Sequence, residues 1–465
     1  MCRIVTLKDV LTLISTNSDN NDPTVNSTIT IGVVSLGCPK NTADTEVMLG
    51  LLAEAGFKIT FNNDEADLCL VNTCSFIKAA RQESVKTLVE LASQGKKLII
   101  AGCLAQQFKG ELLEELPEAV AAIGTGDIAR IAEIVKTLSD NPTEKILAVS
   151  SNPSYNQVEP LPRIPTGCGA SAYLKIAEGC NHHCTFCIIP ALRGTFRSRT
   201  TESLVAEART LVSSGVRELI LVSQDSTYYG TDLYGRPALG QLLEALHEID
   251  DLDWIRSMYF YPGETNDDLL TTIARLPKVV KYIDIPLQHS HSEILSAMGR
   301  PGHPEKTVAS IRKIIPQAAI RSTFIVGFPG ETQEQFEHLC RFIEQTKFDR
   351  LGVFTYSREN TSGQMPGQLP ERTKRQRRAH LMEIQQQISK EHNLSLVGSK
   401  IKVLIEGFDE AKKLFFGRSQ YDAPEIDNLV YVKPDDNCDI IIGDFAEVVV
   451  TKAKPYDLIG QATSD

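Results

Sequence analysis

The feature that most constrains this chain is the run Cys180-Asn181-His182-His183-Cys184-Thr185-Phe186-Cys187, placed directly after a strand-like stretch at 172–177. Three thiolates in one short loop can hold three irons of a cubane 4Fe–4S cluster and leave the fourth iron without a protein ligand. Zinc is the competing reading, but a structural zinc takes a fourth protein ligand. His182 and His183 lie inside the cysteine loop, where closing a tetrahedron is awkward. Motif and position together favour the cluster.

An iron left open in this way can chelate the amino and carboxylate groups of S-adenosylmethionine, which makes Cys180, Cys184 and Cys187 the candidate catalytic ligands. The strand at 172–177 is the first of six, followed by 218–223, 254–259, 282–286, 321–326 and 351–355, with helical runs between them. Six β/α repeats predict a partial barrel, whose ligands gather at the C-terminal strand ends. Gln224 and Asp225 end the second strand, Gln288 follows the fourth, Arg321 opens the fifth, and Gly327 follows it. These five are the candidate cofactor-binding residues.

Upstream, strands at 31–35, 67–72 and 97–101 alternate with helices at 44–55, 83–92 and 111–116, a pattern that predicts a parallel-sheet α/β domain. Each strand is followed by a cysteine: Cys38, Cys74 and Cys103. Parallel strands bring their C-terminal ends together, so the three thiols could converge on a second cluster. Scattered buried cysteines are the bland alternative.

The expected domains are a loose tail over 1–28, the N-terminal α/β domain over 29–138, and a proline-rich linker over 139–168. The six-strand barrel with a C-terminal helix follows over 169–396, and a small all-β module over 397–465. The helix at 371–396 begins with Arg372, Lys374, Arg375, Arg377 and Arg378, which reads as a solvated face. Eleven cysteines in a chain without a transmembrane-length apolar run or a clean secretory segment point to a cytoplasmic protein that uses thiols for ligation rather than disulfides. The net charge of -11 counts against a chain that lives on phosphate backbones.

Two cysteine triads in this order, with a trailing β module, resemble the radical S-adenosylmethionine methylthiotransferases over residues 29–462. The resemblance implies an N-terminal domain with an auxiliary 4Fe–4S cluster, a radical S-adenosylmethionine barrel, and a β module of the OB-like type called TRAM. Two 4Fe–4S clusters and S-adenosylmethionine are the implied cofactors. Cys38, Cys74, Cys103, Cys180, Cys184 and Cys187 are the implied ligands.

Within the family, the stretch from Cys38-Pro39-Lys40-Asn41 to Glu46 is similar to the branch that modifies an aspartate β-carbon of small-subunit ribosomal protein S-twelve. So is Gly417-Arg418-Ser419-Gln420-Tyr421-Asp422-Ala423-Pro424-Glu425-Ile426-Asp427. The alternative branch modifies transfer-RNA adenosine and has Cys-Gln-Met-Asn at the first place. The implied chemistry replaces a C–H hydrogen by a methylthio group, with electrons from a donor such as ferredoxin or flavodoxin. From Gly398 onward 8 Lys+Arg face 13 Asp+Glu, a balance of −5 that suits a basic protein better than RNA. No stable nucleic-acid binding and no membrane contact are expected. Removal of the module is expected to weaken partner binding and to spare cofactor cleavage.

Overall fold

The computed structural model describes residues 29–153, 160–167, 169–358, 365–434 and 439–463. The tail at 1–28, Cys2, Cys168, Cys438 and most of the loop after Ser357 lie outside them. Among the described residues no helix is long and apolar enough to cross a membrane.

The first sheet holds β1 (Thr30–Ser35), β2 (Lys58–Thr60), β3 (Leu68–Thr73), β4 (Lys97–Gly102), β5 (Ala119–Ile123) and β6 (Ile146–Ala148), in the order β2-β1-β3-β4-β5-β6. All pairs are parallel. Every residue of β3 and β5 is buried, as expected of a sheet covered by helices on both faces. The sequence reading missed β2, β5 and β6. β2 and β6 have only three residues each, too few for a period to show, and β6 comes from the stretch read as linker.

Register sets the first triad. Ser35 pairs with Asn72, and Thr73 pairs with Gly102, so β1, β3 and β4 end side by side. Cys38, Cys74 and Cys103 leave those three neighbouring ends.

The central domain has the six expected strands: β7 (Ser171–Lys175), β10 (Glu218–Val222), β11 (Trp254–Ser257), β12 (Tyr282–Asp284), β13 (Ala319–Val326) and β14 (Arg350–Thr355). A short hairpin of β8 (Ala177–Glu178) and β9 (Arg197–Ser198) brackets the cysteine loop. The strands form two parallel triplets, β7-β10-β11 and β12-β13-β14. The Ile255–Val279 bridge joins them into a partial barrel.

The helix Glu371–Ser395 corrects one expectation. Lys374 and Arg377 are buried, not solvated. Their spacing continues through Leu381, Gln385 and Ile388, one face of a 3.6-residue period that lies against the barrel. Lys374 donates to the Tyr356 carbonyl at 3.2 Å, Arg377 pairs with Glu331 at 3.1 Å, and Arg378 donates to the Val353 carbonyl at 3.0 Å.

The last module is a closed barrel, β15-β16-β17-β19-β18, built from β15 (Lys400–Asp409), β16 (Leu414–Ser419), β17 (Val430–Lys433), β18 (Phe445–Ala453) and β19 (Leu458–Ala462). The unanticipated β19 closes it by pairing with β17 and β18. This module sits under the central barrel, at the N-terminal ends of its strands. Arg418 meets Glu218 at 2.6 Å, Asp422 takes Arg350, and Asp427 accepts from the Tyr282 hydroxyl at 2.6 Å. The 417–427 stretch is therefore the stopper of the barrel, and part of the module's acidity faces inward.

Candidate functional site

At the C-terminal mouth, the cysteine loop is pinned on two sides. The Cys180 N–H donates to the Gly194 carbonyl at 3.1 Å, and the Cys187 N–H turns back to the Cys184 carbonyl at 3.0 Å. From across the barrel, the Thr185 N–H reaches the Met298 carbonyl at 3.0 Å. Gly299 passes so close to the His183 carbonyl that a Cβ there would stand 2.8 Å away. Burial pushes the Cys180 thiol up to about 11 and the Cys187 thiol up to about 12. A ligating metal is what converts such thiols to thiolates.

One of the two loop histidines is engaged outside the loop. His182 Nε2 lies 2.6 Å from Asp225 Oδ2, and its ring stacks on Tyr261 at 3.7 Å between centroids. Arg300 covers the far side of Tyr261 at 4.4 Å and reaches Cys184 Sγ at 3.6 Å. Asp225 is itself fixed by the N–H groups of Thr227 and Tyr228. Asp225, His182, Tyr261 and Arg300 thus form a brace around the loop.

The other sequence candidates separate. Gln224 donates to Glu178 at 2.6 Å, and its Oε1 is buried without a partner, an acceptor free for a ligand. Gln288 stands at the mouth with a φ of 71° and bridges to Phe324. Arg321 is turned towards the other end, where Asp284 holds it at 2.8 Å and Asp427 at 3.5 Å. Gly327 has its N–H taken by Glu331, and a Cβ on it would collide with Lys374. The structure brings Gln224, Asp225 and Gln288 to the mouth with the cysteines. It gives Arg321 and Gly327 other neighbours.

The first triad faces this mouth. Cys38 caps the helix Pro39–Glu54, and Cys103 opens the helix Cys103–Phe108. Cys74 exchanges hydrogen bonds with Ser84 through both its N–H and its carbonyl. Burial pushes the Cys103 thiol up to about 12, with Arg193 opposing and the charges of Cys74 and Cys38 adding to the rise.

Arg193, 1% exposed, joins the two sides. It reaches Cys103 Sγ at 3.7 Å, Asn41 Oδ1 at 2.6 Å, Asp44 at 3.0 Å and Glu178 at 2.7 Å. Lys175 pairs with the same two carboxylates. Burial alone would raise the Glu178 carboxyl, but Arg193 and Lys175 reverse the sign and hold it well below its usual range. Glu178, Lys175, Arg193, Tyr261 and Arg300 all escaped the sequence reading. None carries a spacing signal, because their partners lie on other strands or in the other domain.

Both donor sets fit cubane clusters. Each offers three free thiols, the donor chemistry that such a cluster takes.

Comparison with known proteins agrees with this architecture. Residues 30–124 match the uncharacterized protein family UPF0004, 174–343 the radical SAM superfamily, and 397–463 the TRAM domain. The chain is 52% identical to the ribosomal protein uS12 methylthiotransferase RimO of Gloeobacter violaceus, over 93% of this chain and 98% of that protein. It is 48% identical to proteins of the same name from Thermosynechococcus vestitus, over 92% and 96%, and from Synechocystis sp., over 94% and 98%. The radical S-adenosylmethionine methyltransferase TsrM of Kitasatospora setae, 12% identical, superposes with a TM-score of 0.52 over 71% of this chain and 75% of that one, a likeness of fold alone. The chain belongs to the ribosomal protein uS12 methylthiotransferase RimO family.

Proposed function

We propose that this protein inserts a methylthio group at the β-carbon of an aspartate in small-subunit ribosomal protein S-twelve by radical S-adenosylmethionine chemistry. The observation that carries the reading is the junction between the triads. Arg193 touches Cys103 Sγ and bonds Glu178, two residues before Cys180. An enzyme that both activates a C–H bond and delivers sulfur to it needs its two centres to face one space.

When bound, the group that Cys180, Cys184 and Cys187 would hold would supply the electron that cleaves S-adenosylmethionine to methionine and the deoxyadenosyl radical that takes the C–H hydrogen, and the group that Cys38, Cys74 and Cys103 would hold would carry the replacing sulfur, methylated by a second S-adenosylmethionine. The protein's own part is positional. The Asp225–His182–Tyr261–Arg300 brace fixes the cysteine loop in one orientation. Gln224 offers its free Oε1 as an acceptor for a cofactor amine or hydroxyl. The Arg193–Asp44–Glu178–Lys175 network locks the N-terminal domain to the barrel, so that the distance between triads does not drift. A reductant such as ferredoxin or flavodoxin completes the reaction, and the cytoplasm, where the target is made, is the proposed location.

A transfer-RNA adenosine methylthiotransferase is the alternative, and it is not better supported. The test is direct. Anaerobically reconstituted protein receives S-adenosylmethionine, a sulfur source and reductant, with either the ribosomal protein or transfer RNA present. Mass spectrometry should find methylthio on an aspartate of the protein. Transfer to RNA alone would overturn the proposal.

A further inference from the structure

β7 and β14 are the two edge strands of the partial barrel. The first is covered. The helix Pro39–Glu54 lies against it through the Lys175–Asp44 pair, and Ala43 of that helix packs with Tyr173, Ile220 and Tyr282, which fill the lumen. Along β14 the side chains alternate, so Phe354 stands on the opposite face from Val353, a residue of the outer core. Phe354 therefore faces the lumen side, opposite Ile325 in register, and is 47% exposed. Gly352, one pleat below, leaves the floor open: a Cβ there would stand 3.9 Å from both the Phe354 ring and Arg321. Above, Ile325 packs on the same apolar cluster as Phe186 of the cysteine loop. The lumen face of β14 is an open track that rises to the mouth.

At the foot of this track is the tip of the stopper. The Ala423 N–H donates to Asp427 Oδ2 at 2.9 Å and the Asp427 N–H to the Ala423 carbonyl at 3.3 Å, which closes the loop 423–427 at its base. Arg321 links loop and track, since it pairs with Asp427 at 3.5 Å and borders Gly352. The other charges of the stopper are engaged: Arg418 with Glu218, Asp422 with Arg350, Asp427 with Arg321. Glu425 is the exception. It is exposed, and its carboxylate has no hydrogen bond or ion pair among the described residues. Its φ of 67° is a left-handed conformation that strains any residue with a Cβ. Its charge bears on the Tyr173 and Tyr259 hydroxyls, adding to the rise that burial gives them, as a carboxylate on the lumen side must. Beside it Ile426 is 45% exposed. A strained tip, pinned at its base, that presents an unpartnered charge next to an apolar side chain has the make-up of a contact surface.

We propose that Glu425 and the lumen face of β14 dock a basic segment of the target protein, with Glu425 taking a lysine or arginine side chain and Ile426 and Phe354 the apolar residues next to it. This rests on the proposed function and adds to it the surface on which the target lies. A ribosomal protein that binds RNA carries an excess of cations, and a partnerless carboxylate complements them. The track runs from that anchor to the mouth, so a segment held at its foot is led towards the cysteine loop. An RNA would bring phosphates to the same carboxylate and be repelled.

The experiment titrates the full-length reconstituted enzyme into fluorescently labelled ribosomal protein. Glu425→Gln should weaken binding about threefold to fivefold and Glu425→Lys further, both losses shrinking as salt rises. Phe354→Ala should weaken it about tenfold with little dependence on salt. Glu410→Gln removes the same charge from the same module, at a carboxylate already paired with Lys413, and should stay within about twofold of wild type. Iron content and melting temperature show whether each variant has folded and loaded. Where one fails to, hydrogen exchange of the wild type decides, since the loop 423–427 should gain protection when the target binds. A loop without that gain overturns the inference. So does wild-type affinity in Glu425→Lys, or an equal loss in Glu410→Gln, which would make net charge rather than the tip responsible. Methylthiolation of the ribosomal protein with an unprotected tip refutes only this docking surface. Methylthiolation of transfer RNA alone refutes the function itself.

Discussion

The guanidinium of Arg193 lies 3.7 Å from Cys103 Sγ while the same side chain bonds Glu178 at 2.7 Å, so a single residue spans the two cysteine sites. Removing it leaves Asp44 and Glu178 buried with one cation fewer between them. Arg193→Leu is expected to cost about 3–5 kcal/mol of stability. Thermal and denaturant unfolding of the reconstituted protein measures this. Arg193→Lys should recover part of the loss, because it restores charge but not the fork that reaches Asn41 and Cys103 together.

The triads should separate two half-tasks. Replacing Cys180, Cys184 and Cys187 by alanine is expected to remove about half of about eight irons and all reductive cleavage of S-adenosylmethionine. Replacing Cys38, Cys74 and Cys103 should spare cleavage to deoxyadenosine and abolish methylthio transfer. Iron analysis with chromatography of deoxyadenosine distinguishes them. Full iron content in the first variant would contradict the ligand assignment.

The C-terminal module is a structural part of the barrel, which changes the expected result of deleting it. Leu404 and Ala423 share one apolar cluster with Tyr173, Trp254 and Tyr282, and Phe445 packs on Trp254 at 4.7 Å between ring centroids. A chain ending at Gly398 exposes that cluster, leaves Glu218 with Arg256 alone of its two arginines, and takes Asp422 from Arg350. It should aggregate or melt far below the intact protein and lose cofactor cleavage, in place of the intact cleavage that charge alone implies. Light scattering and a cleavage assay on the truncated chain test this.

The same junction predicts an acid dependence. Burial pushes the Glu218 carboxyl up, but Arg418 and Arg256 outweigh it and hold it at about 2, against an ordinary value of 4.5. A carboxyl depressed in the folded state contributes its stability above the unfolded value and loses it as pH falls through the folded one. Stability should therefore decline from about pH 4.5 towards pH 2 by this group. Glu218→Gln should be less stable at neutral pH and show a shallower acid slope. Urea midpoints across that pH range measure both.

The linker is bolted down at 162–166, and a single methyl should show it. A Cβ on Gly50 would collide with the Pro162 carbonyl. Beside it Arg163 pairs with Glu46 and, at 2.8 Å, with Glu207. Gly50→Ala is expected to destabilise by about 1–3 kcal/mol through overpacking, even though alanine favours helix. Gly56→Ala, where a Cβ meets nothing but φ is +85°, isolates backbone strain from collision.

The sequence by itself determined the six strands of the barrel, three of the six strands of the parallel sheet before it, and the placing of six cysteines at strand ends. Each of these is written in local period or short spacing. Cys180, Cys184 and Cys187 share one loop, and Cys38, Cys74 and Cys103 each follow a buried strand whose register aligns its end with the next. Only the tertiary structure decided what surrounds the thiols. Arg193 finds Asp44 across 149 residues, Lys40 finds Ser223 across 183, and Arg418 finds Glu218 across 200. It also turned Arg321 away from the mouth and buried Lys374 and Arg377 on a helix whose basic start reads as solvated. A charge's role depends on which charges are packed around it after desolvation, and that information lies in the distance between strands, not in the order of residues along one.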